Sequence, residues 1–274
     1  MSKMLVQALH VHPVKSVAGT APDEVAVEPW GLSGDRRWAV VDADGSVITQ
    51  RQQPRLALAK ARPLGGGGIL LSAPGMADLT VAVPEPGMLE PVLLFGKKWE
   101  TVLADGAAHA WFGEFLGEPA RLVHMDDPAV RRPIDPEYAL PGETVTLADG
   151  YPVLITTLAS LDALNALIAQ GEHPEEGPLP MNRFRPNVVV SGATAWAEDH
   201  WRLIGIGDAV FRGAKECGRC IVTTTDQETT RRGKEPLRTL ALHHRIGRSL
   251  AFGRQLVPVR TGTVRVGDEV RVLE

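Results

Sequence analysis

Cysteine is scarce in this chain: its 274 residues hold two, Cys217 and Cys220. Two cannot form the disulfide framework of a small secreted domain, and a chain of this length can bury a core without one. Long apolar runs are missing too; none approaches the ~20 residues of a membrane helix. The first sixteen residues do not read as a signal peptide, because Gln7, His10 and His12 interrupt the apolar stretch and no small-residue cleavage site follows. These absences predict a cytoplasmic protein that does not engage a membrane. Positive charge is not in excess either. A formal net charge of −4 argues against nucleic acid as a partner, while leaving room for a local basic pocket. There is no Walker or GxGxxG glycine loop, no Gly-x-Ser-x-Gly and no His-Glu-x-x-His. Nucleotide binding, serine hydrolysis and zincin chemistry therefore lack a motif. No internal repeat is present, and residues 65–68 are the only low-complexity tract.

What is present is an ordinary globular mixture, 44% hydrophobic and 23% charged. Residues 5–14, 24–28, 37–42, 47–51, 56–62, 69–72, 79–83, 91–95 and 98–104 read as short strands, with Asp44-Gly45 as a hairpin turn. Short strands at this spacing predict a barrel or sandwich. The pattern changes after residue 104. Residues 107–116 have helical spacing and stop at Gly117, and residues 160–170 form the clearest amphipathic helix, with Ser160 as its N-cap. Strands are predicted at 121–125, 153–157, 188–191, 201–206, 209–212, 221–225, 256–261 and 263–273. A helix is predicted at 237–249, and residues 126–144 and 171–180 read as Pro/Glu-rich loops. The fold class is thus mostly β (α+β), with a β-barrel-like domain over residues 1–104 and a second β-barrel domain with a few helices over residues 105–274.

Chemistry concentrates in residues 215–226, KECGRCIVTTTD. Cys-x-x-Cys can be a redox disulfide, half of a zinc site, or two half-buried small hydrophobes. A thioredoxin-like motif sits at a strand-to-helix turn, whereas this one runs into β-branched residues. A zinc site needs two further ligands, and neither His10/His12 nor His243/His244 has the spacing; the latter pair reads as surface residues. Lys215 and Arg219 flank Cys220, and neighbouring cations favour a thiolate, a soft ligand for a metal. In an extended segment Cys217 faces away from Cys220, which makes it support rather than ligand. A second group pairs cations with small polar residues: Lys15-Ser16, Arg36-Arg37, Arg185 with Asn187, and Arg219. Such pairs suit a phosphate, although each alone is more often a solvated surface group. Asp226, after three threonines, can cap a turn, orient a cation or accept a proton.

Six segments in order resemble one family. They are Pro13-Val14-Lys15-Ser16, Gly34-Asp35-Arg36-Arg37-Trp38, Phe184-Arg185-Pro186-Asn187, Cys217-Gly218-Arg219-Cys220 with its threonines and Asp226, Lys234-Glu235-Pro236-Leu237, and the run from Gly262 to Asp268. Together they are similar to the MOSC proteins, and specifically to those with an N-terminal MOSC β-barrel domain, the group that includes the amidoxime-reducing components. The resemblance implies a molybdenum cofactor, with Cys220 as the protein's metal ligand and Asp226 as a second catalytic candidate. Lys15, Ser16, Arg36, Arg185, Asn187 and Arg219 would match positions holding the pterin and its phosphate; Thr157 and Ser160 match a small-hydroxyl segment at the same pocket. Descriptions of the family also include pyridoxal phosphate binding. The implied activity is reduction of small N-hydroxylated compounds. Its alternative is a non-catalytic carrier of the cofactor, or of sulfur as a Cys220 persulfide. Some relatives append a ferredoxin domain, whose cysteines this sequence lacks. Electrons would then come from a separate ferredoxin-, flavin- or haem-type donor protein. The targeting and membrane segment of the mitochondrial relatives is likewise not seen here.

Overall fold

The computed structural model describes residues 3–274; Met1 and Ser2 lie outside the described residues. Its largest element is a strongly curved sheet. Strands Leu5–Leu9, Val188–Ser191, Val153–Thr157, Ser249–Arg260, Ala209–Gly218, Leu203–Ile206 and Val270–Val272 follow one another side by side. The two ends approach: Val6 N donates to the Asp268 carbonyl and Val270 N to that of Met4, both within 2.9 Å. This nearly closes the sheet into a barrel and removes most of its free edge. Leu9, Ile155, Val190, Ile204, Phe211 and Leu256 fill the interior. Several of them come from near-continuous apolar runs, such as Val188–Ser191 and Leu203–Ile206, as suits strands covered on both faces.

Residues of the first half form smaller sheets. Trp38–Val41, Arg121–His124, Lys97–Leu103 and Glu90–Leu94 make one, and Lys60–Pro63, Ile69–Ser72 and Leu79–Val81 another. Helix Gly106–Leu116 packs beside them, burying Phe112 and Phe115 against Trp38, Leu56, Leu71 and Leu122. Asp105 caps it by accepting from Ala108 N, and Gly117 ends it at φ 73°. The chain is thus mostly β, with four α-helices among the described residues. The first strand, Leu5–Leu9, pairs antiparallel with Val188–Ser191, so the N-terminal segment is built into the large sheet.

Several local expectations are overturned. Residues 221–225 are not a strand: Ile221–Thr224 is a 3₁₀ turn. The hydroxyls of Thr223 and Thr224 donate back to the carbonyls of Cys220 and Ile221, giving the backbone a local alternative to a ladder. Thr157, not Ser160, is the N-cap of helix Leu158–Ala169. The helix predicted at 237–249 stops at His243, and the rest forms a tight hairpin, Arg245–Ile246 with Ser249–Arg260. The loop at 126–144 contains a short helix, Pro128–Arg131. His243 is exposed as expected, but His244 is half-buried. Its ring stacks on Trp196 at 3.8 Å and bonds Asp199 at 2.9 Å. Among the described residues no helix is long and apolar enough to cross a membrane.

Candidate functional site

Two segments cross to begin the site. Lys15 N donates to the Trp38 carbonyl, Trp38 N to that of Pro13, and Arg36 N to that of His12. His12 N in turn donates to the buried Asp35 carboxylate at 2.8 Å. The crossing holds Lys15 and Arg36 on one side, facing a third segment. There Asn187, buried at the mouth of its strand, clips three pieces of chain together. Its Oδ1 accepts from Arg36 at 2.9 Å and from Leu154 N at 3.1 Å, and its Nδ2 donates to the His10 carbonyl. Arg36 also donates to the Arg185 carbonyl at 3.0 Å and pairs with Asp35. Ser16, Arg36 and Arg185 all have left-handed backbones, with φ of 66°, 47° and 52°. That conformation is unfavourable for such residues and is held by the surrounding bonds, as happens where side chains must converge.

Strand Ala209–Gly218 brings in the thiols. Its ladder with Ser249–Arg260 shifts register between Glu216 and Gly218 and then ends. Period-two alternation therefore fails, and Cys217 and Cys220 line the same cavity, contrary to the expectation that they face apart. Cys217 is buried, takes a contact of 3.0 Å from Gln255 Nε2, and has its thiol pushed up by burial. Cys220 is half-exposed, and Arg51 Nη2 donates to its sulfur at 3.4 Å. Between them Arg219 is pinned, giving two bonds to the Phe252 carbonyl and one to that of Phe184.

The result is one cavity of about 150 Å³. Lys15, Arg36, Arg51, Arg183, Arg185 and Arg219 line it, against a single carboxylate, Asp149. Arg36 and Arg183 are paired through the wall with Asp35 and Asp226. Lys15 is 4% exposed and its Nζ meets Asp149. Burial pushes its pKa down to about 8, opposed by the Asp149 charge. Burial, then Arg36, pushes Arg185 down to about 9. The Asp149 side chain is 62% exposed because it projects into the open cavity, where Lys15 and Arg51 flank it. Desolvation raises its pKa, but Lys15, Arg51 and Arg36 together hold it well below the carboxylate range. Arg132 positions this residue, donating to the carbonyls of Thr146, Ala148 and Asp149.

The structure therefore brings together Lys15, Ser16, Arg36, Arg185, Asn187, Arg219 and Cys220. It does not bring Thr157, Ser160 or Asp226 to the cavity. The first two are fully buried and both donate to Glu198, at 3.2 and 2.8 Å, a carboxyl whose pKa is raised by burial. Their hydroxyls are consumed in fixing the helix start against residues 197–200. Asp226 caps its own turn, accepting from Glu228 N and Thr229 N, and pairs with Arg183 at 2.9 Å. The Thr229 backbone bond holds its carboxyl below the usual range. Sequence reasoning missed Arg51, Asp149 and Arg183. Arg51 and Asp149 stand in no local pattern, and Arg183 is set apart only by its place beside the Phe-Arg-Pro-Asn run.

An anionic ligand with a soft metal fits this donor set: one accessible thiol beside a concentration of guanidinium and ammonium groups. Comparison with known proteins points the same way. Residues 3–119 match the MOSC N-terminal beta barrel domain, and residues 142–271 match the MOSC domain. The chain is 34% identical to mitochondrial amidoxime-reducing component 1 of Homo sapiens, over 98% of this chain and 82% of that protein. It is 30% identical to the same component of Xenopus laevis, over 97% of this chain and 81% of the relative. It is also 27% identical to the molybdenum cofactor sulfurase of Oryza sativa subsp. japonica, over 92% of this chain and 32% of that protein.

Proposed function

The chain belongs to the MOSC proteins that carry an N-terminal MOSC β-barrel domain, and on that premise we propose that it binds a molybdenum–pterin cofactor and reduces N-hydroxylated compounds. Its relatives' names place them around amidoxime reduction and the molybdenum cofactor, which supports a role associated with that cofactor. The observation that carries the reading is the Cys220 thiol opening into a cavity lined by six cationic side chains.

Cys220 is the residue to ligate the metal. Lys15, Arg36, Arg185 and Arg219 hold the anionic part, with Ser16 and Asn187 supplying hydrogen bonds and backbone order. When bound, the group supplies two-electron oxygen-atom transfer. The overall reaction takes R–NHOH, two electrons and two protons to R–NH2 and water. The electrons come from a separate donor protein. The chain's own part is placement: buried, mutually braced cations fix the cofactor, and the half-exposed sulfur remains reachable from solvent. Asp149, held ionised, orients Lys15 and Arg51 rather than giving a proton.

The test is molybdenum and pterin content after expression in a molybdate-supplied host, then turnover of benzamidoxime with an artificial reductant. Metal and pterin near one per chain together with turnover is the expected result. Stoichiometric cofactor without turnover would leave a carrier, and absence of both would remove the proposal.

A further inference from the structure

Phe95 is an unexpected residue for its position. It lies with Gly96 in the two-residue turn between strands Glu90–Leu94 and Lys97–Leu103, where Leu94 pairs with Lys97. Both turn residues have positive φ, 53° for Phe95 and 74° for Gly96. Such turns favour Asn, Asp or Gly at the first place, because a bulky side chain is strained in a left-handed backbone. Nor does burial compensate: Phe95 is 53% exposed. Neither local preference nor core packing accounts for a phenylalanine there.

Its ring, however, stands beside the cavity described above. The Lys15 ammonium lies 5.3 Å from the ring centroid and the Arg51 guanidinium 5.5 Å. These two cations flank Asp149, and Arg51 is the one that contacts the Cys220 sulfur. Distances under ~6 Å suit cation–π contact. The hairpin carrying Phe95 is anchored on its other side, where Val47 N donates to the Leu93 carbonyl and Leu93 N to that of Gly45. A braced hairpin of the first half thus presents a 53%-exposed aromatic ring against two of the cations that line the thiol's cavity.

We propose that Phe95 contacts the substrate and selects for planar, conjugated N-hydroxylated groups, such as an amidoxime attached to an aromatic ring. This rests on the reductase reading of the Cys220 site and adds a specificity-determining residue to it. The ring offers a flat π surface on which a conjugated group stacks and a small saturated one does not. Strain at the turn is the counterpart of that use, as at other sites where geometry serves binding.

The probes are benzamidoxime and acetamidoxime, and the variants Phe95→Asn and Phe95→Trp. In cofactor-loaded protein, Phe95→Asn is expected to lower the ratio of kcat/KM for benzamidoxime over acetamidoxime about tenfold, chiefly through KM, and Phe95→Trp to keep it. In a protein-observed NMR titration, the binding preference for benzamidoxime should fall by a similar factor. The melting temperature of Phe95→Asn should hold or rise, because Asn-Gly suits the turn. An unchanged ratio, or an equal loss for both probes with a lowered melting temperature, would show a purely structural ring and overturn the proposal. If the wild type turns over neither probe, the reductase reading fails, and the titration alone judges Phe95.

Discussion

Two cavities lie on either side of the crossing between the Pro13–Ser16 segment and the Arg36–Trp38 segment. The one around Cys220 measures about 150 Å³; the other, lined by Trp38, Pro63, Ile69, Pro84 and His124, measures about 620 Å³. Consecutive arginines divide between them: Arg36 lines the first and Arg37 the second. Arg37 spends its donors on the carbonyls of Met125 and Asp126, and its cavity also holds Glu28 and Asp126. His124, its ring tilted against Trp38 with centroids 4.4 Å apart, is pushed down to about 4 by burial and stays neutral. The larger space therefore sets one cation against two carboxylates and has no thiol. Convergence of like-charged groups on a soft ligand, rather than volume, distinguishes the candidate site. Such convergence is costly without a counter-charge, and here Asp149 is the only carboxylate within the cavity.

The comparison is broken most severely at the sulfur. Cys220→Ser is expected to reduce molybdenum content and turnover by roughly 100-fold or more. His124→Leu, in the other cavity, should leave metal content within about twofold while lowering the melting temperature, as metal analysis and calorimetry will show. The arginine pair sharpens the contrast. Arg36→Met leaves Asp35, 1% exposed, without its charge partner, which costs about 3 kcal/mol and lowers cofactor occupancy at least tenfold. Arg37→Met removes hydrogen bonds to two carbonyls, costs about 1–2 kcal/mol and spares occupancy. Asp149→Asn removes the counter-charge from the cavity. Pyrophosphate, a probe for phosphate binding, should then bind cofactor-free protein about tenfold more tightly by titration calorimetry.

The smallest effect is one of pH. Lys15 in the folded protein loses its proton near pH 8 rather than at its ordinary 10.5. Pyrophosphate binding should weaken several-fold as pH rises through about 8, as the ammonium is lost. Between 8 and 10.5 the unfolded chain binds more protons at this residue than the folded one. Its contribution to ligand-free stability therefore rises with pH across that window. Denaturation of cofactor-free protein at pH 7.5 and 10, compared with Lys15→Met, isolates this contribution; a wild-type profile parallel to that of the variant would rule it out.

Much of the β architecture was legible in the sequence, because alternation and turn residues act over a few positions. Strand 24–28 needed only alternation, strands 69–72, 153–157 and 188–191 only short apolar or β-branched runs, and the stop of the first helix only Gly117. The threonine run misled for an equally local reason: hydroxyls that suit a strand also bond back to preceding carbonyls, and the second use prevailed once the ladder ended at Gly218. The motifs naming the family were readable in order, since each is a short run of residue types. Their meeting was not. Lys15, Arg36, Arg185 and Cys220 reach one cavity because the chain crosses itself at Trp38 and Asn187 ties three segments. The same crossing sends Arg37 the other way.

The sequence by itself determined the residue types, the single Cys-x-x-Cys and the strand-forming pattern. Tertiary structure alone decided that Arg51 and Asp149 belong beside Cys220 and that Thr157, Ser160 and Asp226 do not. The physical reason is range. Backbone preference acts over neighbouring residues, whereas charge and burial act through space between segments whose separation in the chain carries no information about their distance.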